Sequence, residues 1–269
     1  MKDFIKKEVE KINEPKFKRL ALGEILQHLI LQSLYRHNAF DYLTFTGGTA
    51  LRLLYNTKRY SEDLDFSLTG KNQLKLEVLI NKVQSDLILQ GINCNPYIKS
   101  EKTMFKSDLR FSEILQEFNL SSLKSQKFTI KVEIDKNPPK EGHREIMLIT
   151  TPISYTVSVF DLSSLFATKL HAIFYRKYTK GRDYYDLLWF LGRKIKPNFN
   201  LLNNAIKQTQ GNFEKNEKIT ESNFRERVIN HLESIDFKAV QKDIERFLIN
   251  QEELNFIKLE TIKSLLREY

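Results

Sequence analysis

Apolar positions recur at helical spacing early in the chain. From residue 15 to about residue 35, Leu20, Leu22, Ile25, Leu26, Leu29 and Ile30 return every three or four residues, which predicts an amphipathic helix. Residues 42–46 form a short run of β character closed by Gly47 and Gly48, and residues 49–56 read as a helix start. Across residues 61–68 the pattern switches to period two. Leu64, Phe66 and Leu68 alternate with Asp63, Asp65 and Ser67, the signature of a half-buried strand. Helical spacing resumes over residues 71–90 with Leu74, Val78, Leu79, Val83 and Leu87, and Gly91 supplies a stop.

The stretch 92–158 reads as strand-rich, with segments at 92–98, 127–135, 145–150 and 157–160, a polar section around 100–125, and a turn at Pro138 and Pro139. Beyond Phe160 the character changes. Asp161 or Ser163 can cap a helix through Tyr178, a Thr-Lys-Gly turn follows, and a second helix opens at Arg182 and stops at Gly192 and Pro197. From residue 200 the chain reads as helical, with Val240, Ile244, Phe247 and Leu248 on one face and a further pattern from Leu254 to Leu266. The expectation is an α+β protein: a mixed-sheet domain over residues 1–160 with an N-terminal helix, then a mainly helical domain over 161–269. No internal repeat or low-complexity tract stands out.

Composition narrows the class. With 41% hydrophobic residues, 19 Phe and 11 Tyr, the chain can fill a sizeable core, which excludes a wholly disordered protein. One cysteine excludes an intrachain disulfide and a thiolate-rich zinc site. No run approaches the length of a membrane span, and the first twenty residues mix both charge signs without an apolar core, unlike a secretory leader. A cytoplasmic protein with no membrane partner is expected. The net charge is +9, and it is uneven: the first 220 residues hold 35 basic and 24 acidic side chains, a net of +11. That balance suits a polyanionic partner such as a nucleic acid or a nucleotide, and equally a lysine-rich surface that binds neither.

Three constellations can carry chemistry. Gly47 and Gly48 sit between a strand and a helix, where backbone can approach a ligand and helix-start amides can meet a phosphate; a tight turn needing positive φ is the structural alternative. The run is neither a Walker A loop nor a dinucleotide fingerprint. On an alternating strand, Asp63 and Asp65 point to one face, where like charges repel and a divalent cation relieves them. Mg²⁺ suits such a pair because it takes one or two protein carboxylates and completes its shell with substrate phosphates. Glu133 is the candidate third carboxylate and Asp135 the reserve, both on one face with Lys131. The third group is Lys169 with Arg182, Asp183 and Asp186. Lys169 can act as a point charge on a triphosphate, held by Asp183, and Arg182 can grip phosphate in its planar fork; alternatively these residues are salt bridges tying two helices together. His171, Cys94 and Trp189 read as structural, and Ser61 either bonds a phosphate or caps a turn.

The segments GGTALRLLYNTKRYSEDLDF and KLHAIFYRKYTKGRDYYDLLWF resemble the AbiEii family of nucleotidyltransferase-like toxins, of the DNA polymerase β-type nucleotidyltransferase superfamily. The likeness covers about residues 20–195, and the Arg-x-Ser-x-Asp-x-Asp run from Arg59 to Asp65 matches without a gap. The resemblance implies a polymerase β-like fold. Gly47, Gly48 and Thr49 would form the nucleotide-holding turn, Asp63 and Asp65 the metal carboxylates, and Lys131 with Glu133 the middle motif, where aspartate is commoner than glutamate. Lys169 would contact the nucleotide, with Arg182, Asp183 and Asp186 in the following helix. It implies a toxin of a toxin–antitoxin or phage-defence pair, with a cognate antitoxin encoded nearby, that uses Mg²⁺ to move a nucleoside monophosphate from an NTP to the 3′ end of RNA, tRNA in some relatives. A small-molecule acceptor, as in aminoglycoside-type enzymes, and an inactive nucleotide- or RNA-binding module are the competing readings.

Overall fold

The computed structural model describes residues 1–70, 75–211 and 218–269. In chain order, helices α1 (Lys2–Glu10) and α2 (Pro15–Arg36) lead into strand β1 (Leu43–Thr46), helix α3 (Gly47–Tyr55), strand β2 (Leu64–Leu68) and helix α4 (Leu76–Leu89). Strands β3 (Cys94–Ser100) and β4 (Met104–Phe111), the single turn α5 (Ile114–Glu117), and strands β5 (Phe128–Asp135), β6 (Arg144–Ile149) and β7 (Tyr155–Phe160) follow. Helices α6 (Leu162–Tyr175), α7 (Gly181–Gly192), α8 (Phe199–Gln210), α9 (Phe224–Leu232), α10 (Phe237–Ile244) and α11 (Leu259–Glu268) complete the chain. No helix among the described residues is long and apolar enough to cross a membrane.

The chain divides into two units. The first comprises Met1–Tyr55, Tyr60–Pro138 and Ile146–Val159; the second comprises Asn56–Arg59, Pro139–Glu145 and Phe160–Tyr269. The seven strands form one mixed sheet in the order β3-β4-β5-β2-β1-β7-β6. Strand β1 runs antiparallel to β2, β2 parallel to β5, and β5 antiparallel to β4. Phe105, Leu109, Ile130, Val132 and Ile134 are buried at alternate positions of β4 and β5, as in a sheet with one covered face, whereas β2 buries Leu64 and Phe66 but also Ser67, leaving Leu68 half-buried. Helix α2 is buried over nearly its whole length, from Ala21 to Leu34, and takes in even Gln27 and His28. In the second unit, Phe166 of α6 and Phe190 of α7 stack with ring centroids 4.5 Å apart.

Several elements differ from the sequence reading. Strand β1 starts at Leu43 rather than residue 42, and β2 starts at Leu64, so Asp63 lies just before the strand instead of within it. Helix α3 begins at Gly47 itself. The polar stretch around residue 100–125 contains β4, whose exposed face is polar enough to hide its alternation, and residues 2–10 form a helix the periodicity left unassigned. Helix α10 ends at Ile244; Phe247 lies in a 3₁₀ turn and Leu248 bridges to Arg59, so the proposed continuous helical face stops one turn earlier. Leu74 lies outside the described residues. Asp161 caps α6 by accepting the Ser164 amide at 2.8 Å, one of the two caps anticipated.

Candidate active site

In the first unit, the turn between β1 and α3 positions a carboxylate. Gly47 has φ +78°, and a Cβ there would collide with the Asp65 carboxylate. Only glycine accommodates both the left-handed backbone and this close approach. Asp65 is in register with Thr46 on β1 and with Glu133 on β5. Asp63 precedes the strand, yet exposure still alternates: Asp63 and Asp65 are half-buried while Leu64 and Phe66 are buried. Lys106, opposite Glu133 on β4, places its ammonium 3.3 Å from the Glu133 carboxylate. Lys131 is exposed two residues before Glu133 and on the same face.

Asp135 is committed elsewhere. Its Oδ1 accepts the Asn137 amide at 2.9 Å, closing the turn after β5, and its register partner is Ser67 rather than Asp65. Burial pushes the Asp135 carboxyl above the ordinary value, and the Asn137 amide pulls it part of the way back.

Residues not singled out in the sequence hold this arrangement in place. Gln27 of α2, almost fully buried, donates Nε2–H to the Ser61 carbonyl at 2.9 Å. The fully buried Thr49 donates its hydroxyl to the Asp63 carbonyl. Glu24 of α2 accepts two bonds from Arg52 of α3, at 2.6 and 3.0 Å, and the Arg52 guanidinium lies 5.1 Å over the Tyr60 ring. The segment leading into β2 is therefore pinned on both of its candidate site residues, Ser61 and Asp63. The polar Gln27, with His28 beside it inside the apolar stretch of α2, was the available signal. Thr46 is a further addition: its buried hydroxyl has no hydrogen-bond partner among the described residues, beside Gly47 and in register with Asp65.

The second unit holds a buried ion network. Lys169 Nζ lies 2.8 Å from Asp183 Oδ1 and 2.9 Å from Asp186 Oδ2. Asp186 also accepts a two-pronged pair from Arg59, at 2.7 and 2.6 Å, and Asp183 accepts from Arg176. Arg59 and Asp186 are essentially sealed from solvent, at 1% and 0% side-chain exposure, which demands this mutual satisfaction. Burial works against the Lys169 charge, but Asp183 and Asp186 outweigh it and hold the ammonium above its ordinary range. Burial likewise opposes the Asp183 carboxylate, yet Lys169 and Arg176 hold it below the usual carboxylate value. Arg182 is buried with its guanidinium 4.2 Å over the Phe247 ring.

His171 bonds Thr209 at 3.1 Å, Trp189 lies under Arg193 with the guanidinium 4.1 Å over its ring, and Cys94 is buried with its thiol pushed up to about 12 by burial.

Among the described residues, no group of three or more His, Cys, Asp or Glu side chains is arranged to hold a metal ion. Magnesium does not require such a cage, because it takes one or two carboxylates and keeps positions for phosphate and water. Asp65 and Glu133, in register on neighbouring strands beside the orphan hydroxyl of Thr46, are a hard-oxygen donor set of that kind.

No curated protein matches the chain. Among solved structures, a candidate nucleotidyltransferase from H. pylori is similar, with a TM-score of 0.55 and 19% identity over 91% of this chain and 94% of that one. JHP933 from Helicobacter pylori gives a TM-score of 0.49 at the same 19% identity and the same coverage. At this identity the likeness concerns the fold: a mixed α/β portion followed by a mostly helical one. The family described as "Nucleotidyl transferase AbiEii toxin, Type IV TA system" matches residues 29–262, a span that takes in both the Gly47–Asp65 turn and the Lys169–Asp186 network. The chain belongs to the AbiEii nucleotidyltransferase toxin family of type IV toxin–antitoxin systems.

Proposed function

We propose that this protein is a Mg²⁺-dependent nucleotidyltransferase that moves a nucleoside monophosphate from an NTP to the 3′ end of RNA, the acceptor end of tRNA being the expected target, and that it acts as the toxin of a phage-defence pair with a cognate antitoxin. The carrying observation is the in-register pairing of Asp65 with Glu133, with Asp65 held against Gly47 at the start of α3. Asp65 and Glu133 would hold the metal, with Asp63 just ahead of the strand as the neighbouring carboxylate; the commitment of Asp135 to its turn favours Glu133 over it. When bound, the cation supplies neutralising charge for the phosphates and lowers the pKa of the attacking hydroxyl.

The chain's own groups account for the rest. Gly48 and Thr49 lie in the first turn of α3, whose amides lack intrahelical partners and would meet phosphate oxygens. The Thr46 hydroxyl offers one more polar contact. Ser61 is kept at the rim by Gln27. Lys131 is an exposed cation for phosphate on the same face. Lys169 is taken from the family motif as the nucleotide-contacting lysine; within its own unit Asp183 and Asp186 fix its ammonium, and Arg182 packs over Phe247. The acceptor 3′ oxygen forms a bond to the α-phosphorus, the bond from that phosphorus to the bridging oxygen breaks, pyrophosphate leaves, and the hydroxyl proton passes to solvent.

A transfer assay tests this reading. Purified protein is incubated with total tRNA and each labelled NTP in turn, with Mg²⁺ or chelator, beside an Asp65→Ala protein. Label on tRNA from the wild type with Mg²⁺ only is the expected result. Full-rate transfer by Asp65→Ala sinks the site assignment, and label on a small molecule with none on RNA moves the acceptor class.

A further inference from the structure

Strands β4 and β3 extend the face that carries Asp65 and Glu133, and that face is open. On β4, exposure alternates without a break: Phe105, Ser107, Leu109 and Phe111 are buried, while Met104, Lys106, Asp108 and Arg110 are partly exposed. The register carries the exposed set across three strands, pairing Lys106 with Glu133 and Lys99, and Asp108 with Lys131 and Tyr97. Tyr97 stands on the edge strand β3 with 56% of its surface exposed, and the Arg110 guanidinium lies 4.5 Å over its ring. A tyrosine buried for packing would hide its ring; this one presents it, stiffened by a cation on one side.

The charges on this outer part of the face are Lys99, Lys106, Arg110 and Lys131 against Glu101 and Asp108. Lys99 pairs with Glu101 at 2.7 Å and Arg110 with Asp108 at 3.3 Å, both at half-exposed positions where screening keeps such pairs weak and exchangeable. Lys106 contacts Glu133, and Asp108 stands between Lys106 and Arg110 on β4, so the cations of this face are interleaved with acids and exceed them only slightly. By strand spacing and rise, Tyr97 lies about 12 Å diagonally from Glu133, within reach of a short single strand whose end is at the carboxylates. An exposed aromatic ring flanked by cations on an open sheet is the arrangement by which single-stranded nucleic acids are held without sequence readout: bases stack on the ring and phosphates meet the cations.

We propose that the β3–β4–β5 face binds the unpaired 3′ segment of the RNA acceptor, with Tyr97 and Arg110 as a stacking platform for an upstream base and Lys99, Lys106 and Lys131 along the backbone. This deepens the proposed function, resting on Asp65 and Glu133 as the reacting end. It implies that an acceptor needs a few unpaired nucleotides before its 3′ hydroxyl, and that a small-molecule acceptor would not use the face.

The test separates binding from chemistry. A fluorescein-labelled single-stranded RNA and a blunt duplex of the same sequence are titrated with the full-length protein in chelator, and anisotropy is read. The wild type is expected to prefer the single strand. Tyr97→Ala should weaken single-strand binding on the order of tenfold, Tyr97→Phe should restore it, and Lys99→Ala should lower the log–log salt slope by about 0.7. Tyr97 is exposed, so these proteins should melt like the wild type. Unchanged binding by Tyr97→Ala, or equal affinity for duplex and single strand, overturns the proposal. Intact Tyr97-dependent binding without nucleotide transfer leaves this surface standing and removes the transferase reading instead.

Discussion

The two groups of charged residues differ in kind. Around Gly47, acidic side chains on neighbouring strands are half-exposed and gathered on one face, with Lys106 near Glu133. In the helical unit, Arg59, Asp186, Lys169, Asp183 and Arg176 are arranged so that every carboxylate meets two cations, most of them out of water. Half-exposed carboxylates gathered on one face stay within reach of solvent, where added positive charge lowers their mutual repulsion. A buried, mutually satisfied network resists change: removing one member leaves the others charged in a poor solvent. The first arrangement is the one the proposed chemistry uses, and the second fixes the orientation of Lys169 within the helical unit.

Stability measurements can break this contrast. Asp186→Ala strips Arg59 and Lys169 of a shared partner and should cost about 3–5 kcal/mol in chemical denaturation; a loss below about 1 kcal/mol would mean the network is far less dry than its geometry indicates. Next comes an acid effect from His28, which is buried against the Tyr155 hydroxyl at 2.7 Å. Burial first, then the Arg52 charge, lowers its pKa to about 4. The unfolded chain therefore binds this proton first, and about 3 kcal/mol of stability should be lost as pH falls from about 6.5 to 4. Asp183, whose pKa is also depressed, loses its contribution only below about pH 4. His28→Gln, which keeps a bond to Tyr155, should flatten the pH 6.5–4 limb; an unaltered limb would assign it to other groups.

Smaller effects sharpen the other side. Gln27→Leu removes the bond to the Ser61 carbonyl and should destabilise by about 1–3 kcal/mol. It should also lower transfer at saturating NTP, whereas a purely structural role would leave the surviving folded protein fully active. Asp65→Asn should change stability least, within about 0.5 kcal/mol. It should nonetheless abolish the rise in melting temperature that Mg²⁺ with NTP gives the wild type. An equal rise in both proteins would show that Asp65 does not hold the ligand.

Much of the candidate site is legible along the chain because its elements are local. The Gly-Gly turn, the alternation through Asp63–Phe66 and the Lys131/Glu133 spacing each lie within a few residues, where period two and glycine chemistry speak directly. Strand β4 escaped because Lys106, Asp108 and Arg110 make one face so polar that a loop and a half-exposed strand look alike. Helix α1 escaped for a similar reason: charges dominate it, and only Ile5 and Val9 are buried. Gln27 could be noticed as polar, but its partner is 34 residues away.

The sequence by itself determined the family, the α+β order of elements, and which residue types could carry phosphate chemistry, because these are properties of neighbours and short motifs. Only the tertiary structure decided that Asp65 stands beside Glu133 while Asp135 closes a turn. It likewise decided that Arg59, adjacent in sequence to the carboxylate strand, belongs to the helical unit and its ion network. Strand register and long-range pairing set those outcomes, and a one-residue shift in register would have exchanged every partner.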